Sequence, residues 1–354
     1  MDTNPGVSII IVNYNGMMYM PKCLESINQM SYPNYEIIVV DNKSTDGSLE
    51  MLKARKDIKL IKLDKNYGAY KGWNAGLKHA KHEYVCMLNN DIIVDRDWLS
   101  ELVKTMKDPS IAGTYASFFD YGENVDRGKN IERIKHLRSG TFTLLGYIVG
   151  FNFFPDYVTT SLDADPGCYL IRKSLVDEFF DADYFIYFGG MYLTWKLRIA
   201  GYDIKRSPLC MVYHLGATAA SKKFRERYWY FLGERNRIMN LLIFYSTKTL
   251  VKILPLLLAD CFKKLLVAVK NFVACPYQLI GFYKANLWLV MNFGKILKKR
   301  KKIQSIRKID DSKIVSMLSY KWTDKKGRVA NILNGLFFVY CKTAGLLTYD
   351  IIHR

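Results

Sequence analysis

Three polar residues close a short apolar run at Val85-Cys86-Met87-Leu88-Asn89-Asn90-Asp91. The run is long enough for a buried strand and too short for a helix. A strand buried on both faces has no polar alternation, so its chemistry gathers at its carboxyl end. Asp91 falls there, with Asn89 on the same side of the pleat. A carboxylate and an amide oxygen suit a hard divalent cation that shares itself with substrate phosphates. The plainer alternative is an Asn-Asn-Asp sequence that opens a turn. The same placement recurs twice: Asn13 follows the apolar run Val7–Val12, and Asp41 follows Ile37–Val40. A carboxylate at such a strand end can accept hydrogen bonds from a base or a ribose, or it can cap a turn. Three such ends in one sheet point to nucleotide binding.

The elements that must position these residues follow from periodicity. Strands are expected at 7–12, 36–40, 58–63 and 85–88. Helical spacing is expected from about Met20 to Gln29, after the turn Ser44–Ser48 through Leu52, over Trp73–Ala80 and over Asp95–Lys107. Strand-helix alternation with short links implies a mostly parallel sheet with helices on both faces, an α/β fold. Residues 111–166 mix Gly, aromatic and basic residues without a clear period. Their aromatics, among them Tyr115, Phe119, Phe142, Tyr147, Phe151, Phe153 and Phe154, read either as an acceptor groove or as packing.

Charge divides the chain. The formal net charge is +19, yet residues 1–220 hold 25 Lys+Arg against 26 Asp+Glu, whereas residues 221–354 hold 27 against 7. The excess in the second part implies contact with a polyanionic surface. Half the residues are hydrophobic, so a large core is available. The seven cysteines are scattered, with no CxxC or zinc spacing, and are expected to be reduced, packed thiols. No basic stretch precedes the apolar run at Val7, so no signal peptide is expected.

The segments SIIIVNYNG, YPNYEIIVVDNKSTDGS, NYGAYKGWNAG and LNND, in that order, resemble the inverting family-2 glycosyltransferases of the GT-A fold, in the rhamnosyltransferase-like subgroup. The resemblance covers about residues 7–240. It implies a sugar-nucleotide over the strand ends, with Asn13, Asp41 and Asn66 at the nucleotide. It makes Asp91 the metal-binding residue of a DXD-type motif, with Asn89 in the first acidic position and Mg²⁺ or Mn²⁺ as the ion. His214, in Val212-Tyr213-His214-Leu215-Gly216, matches a histidine near the metal and diphosphate. A lone histidine is otherwise more often structural; here a neutral ring could ligate the ion or a charged one pair with phosphate. Arg235-Asn236-Arg237 matches a pattern that follows this histidine; it reads as a phosphate or headgroup contact, or as a solvated basic turn.

One departure stands out. Relatives usually read Glu-Asp-x-Asp-Leu-x-Trp-x-x-Arg, and this chain reads Gly189-Gly190-Met191-Tyr192-Leu193-Thr194-Trp195-Lys196-Leu197-Arg198. Trp195 and Arg198 keep their places and the acids do not. In an inverting displacement a carboxylate removes the acceptor hydroxyl's proton, which contributes roughly 10²–10⁴-fold, about 3–5 kcal/mol. Glycine supplies none of it. Either a neighbouring carboxylate substitutes, Asp183 or Asp181 being nearest, or the domain binds with slow or absent turnover.

From Leu241 onward apolar residues dominate, with lysines at intervals. Lys248, Lys252, Asp260, Lys263, Lys264, Lys270 and Lys284 interrupt every candidate span. Lysine at a bilayer centre costs about 2.5–3.5 kcal/mol, whereas an in-plane helix lets it snorkel. The expected organisation is a GT-A domain at 1–240 and a basic, apolar helical region at 241–354 that lies in the interface. The run Lys298-Lys299-Arg300-Lys301-Lys302 would add about 1 kcal/mol per charge near an anionic leaflet. No nucleic-acid motif is present and the basic segment is greasy, which argues against DNA or RNA. The expected function is metal-dependent transfer from a nucleoside-diphosphate sugar to a lipid-linked glycan or polysaccharide, at the cytoplasmic face of a membrane. The alternative is a catalytically impaired nucleotide-sugar-binding or scaffolding subunit of a glycan-assembly complex.

Overall fold

The computed structural model describes residues 4–121, 139–151, 167–216, 228–323 and 327–352. Phe153 and Phe154, two of the groove candidates, lie outside them. Ten strands occur among the described residues: β1 (Val7–Asn13), β2 (Tyr35–Asp41), β3 (Ile58–Lys62), β4 (Tyr84–Asn89), β5 (Ile92–Val94), β6 (Ile111–Asp120), β7 (Ser139–Phe142), β8 (Ile148–Phe151), β9 (Cys168–Arg172) and β10 (Asp203–His214). Eight form one sheet in the order β3-β2-β1-β4-β9-β6-β10-β5, and β7 pairs with β8 in a separate hairpin.

The expected mostly parallel sheet is corrected to a mixed one. β3, β2, β1 and β4 run parallel, as do β6 and β10. β9 lies antiparallel to both β4 and β6, and β5 antiparallel to β10. β6 was the strand least visible in sequence. Its residues from Ile111 to Phe119 are almost all buried, so the alternation that marks a half-exposed strand is missing.

Both faces of the sheet are covered, and the short helix α2 (Ser48–Lys53) links β2 to β3. Along β1, Ile9 and Ile11 pack with α1 (Met20–Asn28) and α4 (Trp98–Thr105), while Ile10 packs with α3 (Ala69–Leu77) on the other face. The two clusters follow from the period of two along a strand. Helix α3 begins four residues earlier than the periodicity of Trp73–Ala80 implies. Asn66 Oδ1 accepts the Gly68 N–H (2.8 Å), and Gly68 turns the chain with φ 84°. A Cβ on Gly68 would lie 2.3 Å from the Phe185 carbonyl oxygen, so the turn needs glycine for both reasons.

On the α3 face lies α5 (Gly189–Ile199), every residue of which is buried. Its charged members are paired, Lys196 with the Glu178 carbonyl and Arg198 with Asp203 and the Ile204 carbonyl, and burial all round suits a position between two layers. The outer layer is the carboxyl-terminal third: α6 (Glu234–Phe244), α7 (Thr247–Lys270), α8 (Pro276–Met291), α9 (Phe293–Ser305), α10 (Asp311–Val315) and α11 (Arg328–Thr343). The division expected at residue 240 falls inside α6, and one apolar cluster runs from Ile10 in β1 to Leu346 beyond α11. No helix among the described residues is long and apolar enough to cross a membrane. The outward faces of α7, α8 and α11 nevertheless carry exposed apolar side chains at helical spacing. They include Leu254, Leu258, Phe262 and Leu265 on α7, and Ile332, Leu336 and Val339 on α11.

Two members of the basic run 298–302 turn inward. Lys299 joins an ion-pair network, and Arg300 Nη1 donates to the Leu242 (2.6 Å) and Tyr245 (2.5 Å) carbonyls at the end of α6. These are the orphan carbonyls that every helix C-terminus leaves. Lys298, Lys301 and Lys302 stay exposed, so three charges rather than five are available to a surface.

Candidate active site

The carboxyl ends of β1, β2 and β4 lie side by side, with Asn13 opposite Asp41 and Val12 opposite Asn89 in register. Asn13 Nδ2 approaches Asp41 Oδ1 (2.8 Å), Ser44 Oγ (3.0 Å) and Ser48 Oγ (2.9 Å). Asp41 also accepts from the Ser44 backbone N–H (2.9 Å) and the Ser44 hydroxyl (2.6 Å). Asn90 Nδ2 donates to Asn13 Oδ1 (3.2 Å). Asn13 and Asp41 are fully buried. This network sews the β1 loop, the β2 loop and the end of β4 into one floor. Asn66, half-buried, fixes the turn into α3 from the next loop along. Asn89 closes β4, half-buried, its N–H bound to the Gly167 carbonyl (2.8 Å).

Asp91 and His214 meet. β5 pairs antiparallel with β10, with Ile92 opposite His214, and this register carries Asp91 to the end of β10. His214 Nε2 lies 3.1 Å from Asp91 Oδ2. Both side chains keep partial access to solvent, 36% and 24%. Asp91 Oδ1 is a buried oxygen without a hydrogen-bond partner. Buried carboxylate oxygens are normally satisfied, and an exception needs a reason. An oxygen and an imidazole nitrogen converging beside an unsatisfied carboxylate oxygen fit a hard divalent cation. No group of three or more His, Cys, Asp or Glu that could hold a metal occurs among the described residues. Asp91 and His214 would therefore supply two ligands and leave the rest to a diphosphate and water, the usual economy of such sites.

The two aspartates expected as substitute bases are both engaged in ion pairs. Lys295 Nζ donates to Asp183 Oδ1 (2.6 Å) and Lys299 Nζ to Asp183 Oδ2 (2.5 Å); Lys299 also pairs with Asp181 Oδ1. Burial pushes the Asp183 carboxyl up, but the two ammonium groups outweigh it and hold the group below the usual carboxylate range. A general base needs a lone pair turned to the acceptor and a pKa near the working pH. Asp181 and Asp183 instead clamp the loop ahead of α5 to α9.

Arg235, Asn236 and Arg237 are neither a headgroup contact nor a solvated turn, since all three are buried. Arg235 Nη2 donates to the Asp183 carbonyl (2.8 Å). Asn236 Nδ2 donates to the Ile186 and Tyr187 carbonyls (2.9 Å each), and Asn240 Nδ2 to that of Phe188 (3.1 Å). These bonds stabilise two consecutive non-glycine residues in the left-handed region, Tyr187 (φ 70°) and Phe188 (φ 61°). Such a conformation costs of order 1–3 kcal/mol per residue and persists only where the surroundings over-determine it.

The glycine that stands where an acid is expected has a partner. Gly189 N–H donates to Tyr70 Oη (2.9 Å), and a Cβ on Gly189 would lie 2.4 Å from Tyr70 Cζ. The phenol fills the space a carboxylate would need. It cannot retreat, because the ring packs against Phe180 at 4.4 Å and Trp73 at 6.0 Å. Gly189→Ala is expected to destabilise by about 1–3 kcal/mol, the usual cost of overpacking. Urea midpoints check this, and Tyr70→Leu in the Gly189→Ala background should recover part of the loss.

A parallel strand array with its polar loops on one edge, continued by antiparallel strands that bring a carboxylate to an imidazole, is the glycosyltransferase fold of the GT-A kind. The structure of GalNAc-T7 with UDP, GalNAc and Mn2+ superposes with a TM-score of 0.57 at 15% identity, over 86% of this chain and 55% of that one. Residues 8–180 match the model for Glycosyl transferase family 2, and the chain carries a domain of that family. The poly-beta-1,6-N-acetyl-D-glucosamine synthase of Staphylococcus aureus (strain COL) is 27% identical over 222 residues, 61% of this chain and 51% of its own length. That of Staphylococcus epidermidis is 24% identical over 217 residues, 59% of this chain and 50% of its own. The chain thus spans about half the length of the curated relatives it matches. None of these matches distinguishes the rhamnosyltransferase-like subgroup.

Proposed function

We propose that this protein transfers a sugar from a nucleoside-diphosphate sugar to a growing polysaccharide or lipid-linked glycan, with inversion, and that a divalent cation at Asp91 and His214 assists. The observation that carries the reading is the Asp91–His214 pair with its unsatisfied carboxylate oxygen, placed at the strand ends of a family 2 domain. Mg²⁺ or Mn²⁺ bound there would offset charge on the departing diphosphate. Asn13 and Asp41 act as the rigid floor under the nucleotide, and Asn66 and Asn89 border it. A floor whose own hydrogen bonds are already made does not reorganise when charge develops, which is the condition for electrostatic preorganisation. The polysaccharide acceptor class is supported by the relatives, which are named as polysaccharide synthases. Thermal shift with a panel of nucleotide sugars, with and without Mn²⁺, tests donor binding whether or not turnover occurs. Stabilisation by at least one donor only when Mn²⁺ is present is the expected result; no metal-dependent shift with any donor removes the reading.

The exposed apolar faces of α7, α8 and α11 support a position on a membrane surface, with these helices lying in the interface. Large contiguous apolar patches are unusual on monomers and mark interaction faces. Interspersed lysines suit an anionic lipid surface, where the stems lie along hydrocarbon and the ammonium groups reach headgroups. In flotation assays the protein is expected to rise with phosphatidylglycerol vesicles, and Leu254→Glu/Leu258→Glu to bind at least tenfold more weakly. Equal flotation of this variant would remove α7 from the contact.

A further inference from the structure

A cavity of ≈ 200 Å³ opens beside the loop that precedes α5. Its lining comes from α6, α7, α8 and the turn before α6, with Phe188 and Tyr147; every lining residue except Tyr147 lies beyond residue 180 and so outside the family match. The walls are aromatic: Tyr147, Phe188, Trp229, Tyr230 and Phe282. The floor is charged. Arg237 donates to Glu234 (2.6 Å) and Asp260 (3.2 Å), and Lys264 pairs with Glu234. Glu234 in the lining and Asp260 buried behind it balance the two cations, and Gln278 adds an amide to the lining.

We propose that this cavity binds one uncharged sugar ring of the acceptor glycan, so that the chain being extended is gripped next to the site where it reacts. A pyranose has two kinds of surface. Its C–H faces are apolar and lie well on aromatic rings, and its edge presents hydroxyls that both donate and accept. The cavity offers the complement of both: aromatic walls, and a floor with the Glu234 carboxylate as acceptor and ammonium and amide donors. A prenyl chain would match the walls and strand the ion pairs of the floor against hydrocarbon, which is costly. A phosphate or carboxylate ligand would find no net positive charge. The volume suits one ring rather than a chain.

Two features show that the wall is built rather than incidental. Phe188 sits at φ 61° directly after Tyr187 at φ 70°, held there by Asn236 and Asn240. That conformation brings the Phe188 ring to 5.8 Å from the Trp229 ring in a stacked arrangement, with Tyr187 edge-on to the same indole at 4.9 Å. Trp229 opens a π-helical turn, Trp229–Gly233, a device that redirects side chains and recurs at functional sites. Trp229 still exposes 43% of its surface. Phe188 is the residue immediately before Gly189, so a ring held here lies at the amino end of α5.

This inference rests on the glycosyltransferase reading, and the test separates the two. Saturation-transfer difference NMR with a panel of hexose and N-acetylhexosamine disaccharides would be run on the full chain. The wild type should give signal with at least one disaccharide. Trp229→Ala and Gln278→Ala should each weaken that binding at least tenfold and leave the Mn²⁺-dependent thermal shift with nucleotide sugars unchanged. If no disaccharide binds the wild type, or if binding survives both substitutions, the cavity is not a saccharide site although donor binding may stand. If farnesyl phosphate binds and competes for the cavity in place of the disaccharides, the ligand is a lipid and the proposal is overturned. Loss of the donor shift in the wild type would instead remove the glycosyltransferase reading itself.

Discussion

Asp91→Ala is expected to lower kcat/KM for sugar transfer by about 10³-fold or more, roughly 4 kcal/mol of transition-state stabilisation. The carboxylate would supply the charge that holds the cation, and no further His, Cys, Asp or Glu among the described residues completes a group of three with Asp91 and His214 to replace it. His214→Ala should cost less, about 10–100-fold, because it removes a neutral ligand and leaves the charged one. The stability response is expected to run the other way. Asp91 Oδ1 is buried without a partner, and an unsatisfied buried acceptor costs about 1–3 kcal/mol. Asp91→Ala should therefore match or exceed the wild type in urea midpoint while losing Mn²⁺-dependent donor binding. A residue kept for packing would show the opposite pattern, with lost stability and retained turnover. Turnover within threefold of wild type in Asp91→Ala would eliminate the metal role.

The strand ends were legible because an apolar run that stops at a polar residue is a local signal. Val7–Asn13, Tyr35–Asp41 and Tyr84–Asn89 all carry it. What they do to one another was not legible. Asn13 and Asp41 bond mutually, which depends on the parallel register of β1 and β2 rather than on either sequence. His214 reached Asp91 in the reading only through family resemblance; the physical cause is the antiparallel pairing of β5 with β10, two segments far apart along the chain. Charged strings misled in a consistent way. Arg235 and Arg237, Lys299 and Arg300 each read as solvent- or headgroup-facing, and each is consumed by carbonyls and carboxylates from distant elements. A cation's partner lies in three dimensions, and periodicity carries no record of it. The glycines at 189 and 190 were visible as a missing acid, yet the phenol that takes the space at Gly189 comes from α3.

The second large effect is expected at Arg237, whose side chain is 2% exposed. Its guanidinium donates to Glu234 Oε1 (2.6 Å) and Oε2 (3.0 Å), to Asp260 Oδ2 (3.2 Å) and to the Leu145 carbonyl, and it lies 4.4 Å from the Tyr147 ring. Asp260 in turn accepts from Trp322 Nε1 (2.8 Å) and from Tyr147 Oη. One cation thus ties α6, α7, the β7–β8 hairpin and the segment before α11. Arg237→Met should cost about 3–5 kcal/mol, because it leaves two buried carboxylates sharing only Lys264. Adding Glu234→Gln to Arg237→Met should return part of that loss, as the pair is directly coupled. Acid titration gives an independent check. Burial raises the Glu234 carboxyl, but Arg237 and Lys264 overcome it and bring it from 4.5 down to about 2. A depressed folded pKa contributes stability that is present above the unfolded value and lost as pH falls through the folded one. Wild-type stability should therefore fall by roughly 3 kcal/mol between about pH 4.5 and pH 2 from this group alone. In Glu234→Gln that part of the acid limb should vanish. In Arg237→Met it should shrink, because the largest charge holding the carboxyl down is gone. An unchanged acid limb in both variants would show that the cluster is neutralised some other way, and the bracket between α6 and α7 would have to be sought in the apolar packing around it.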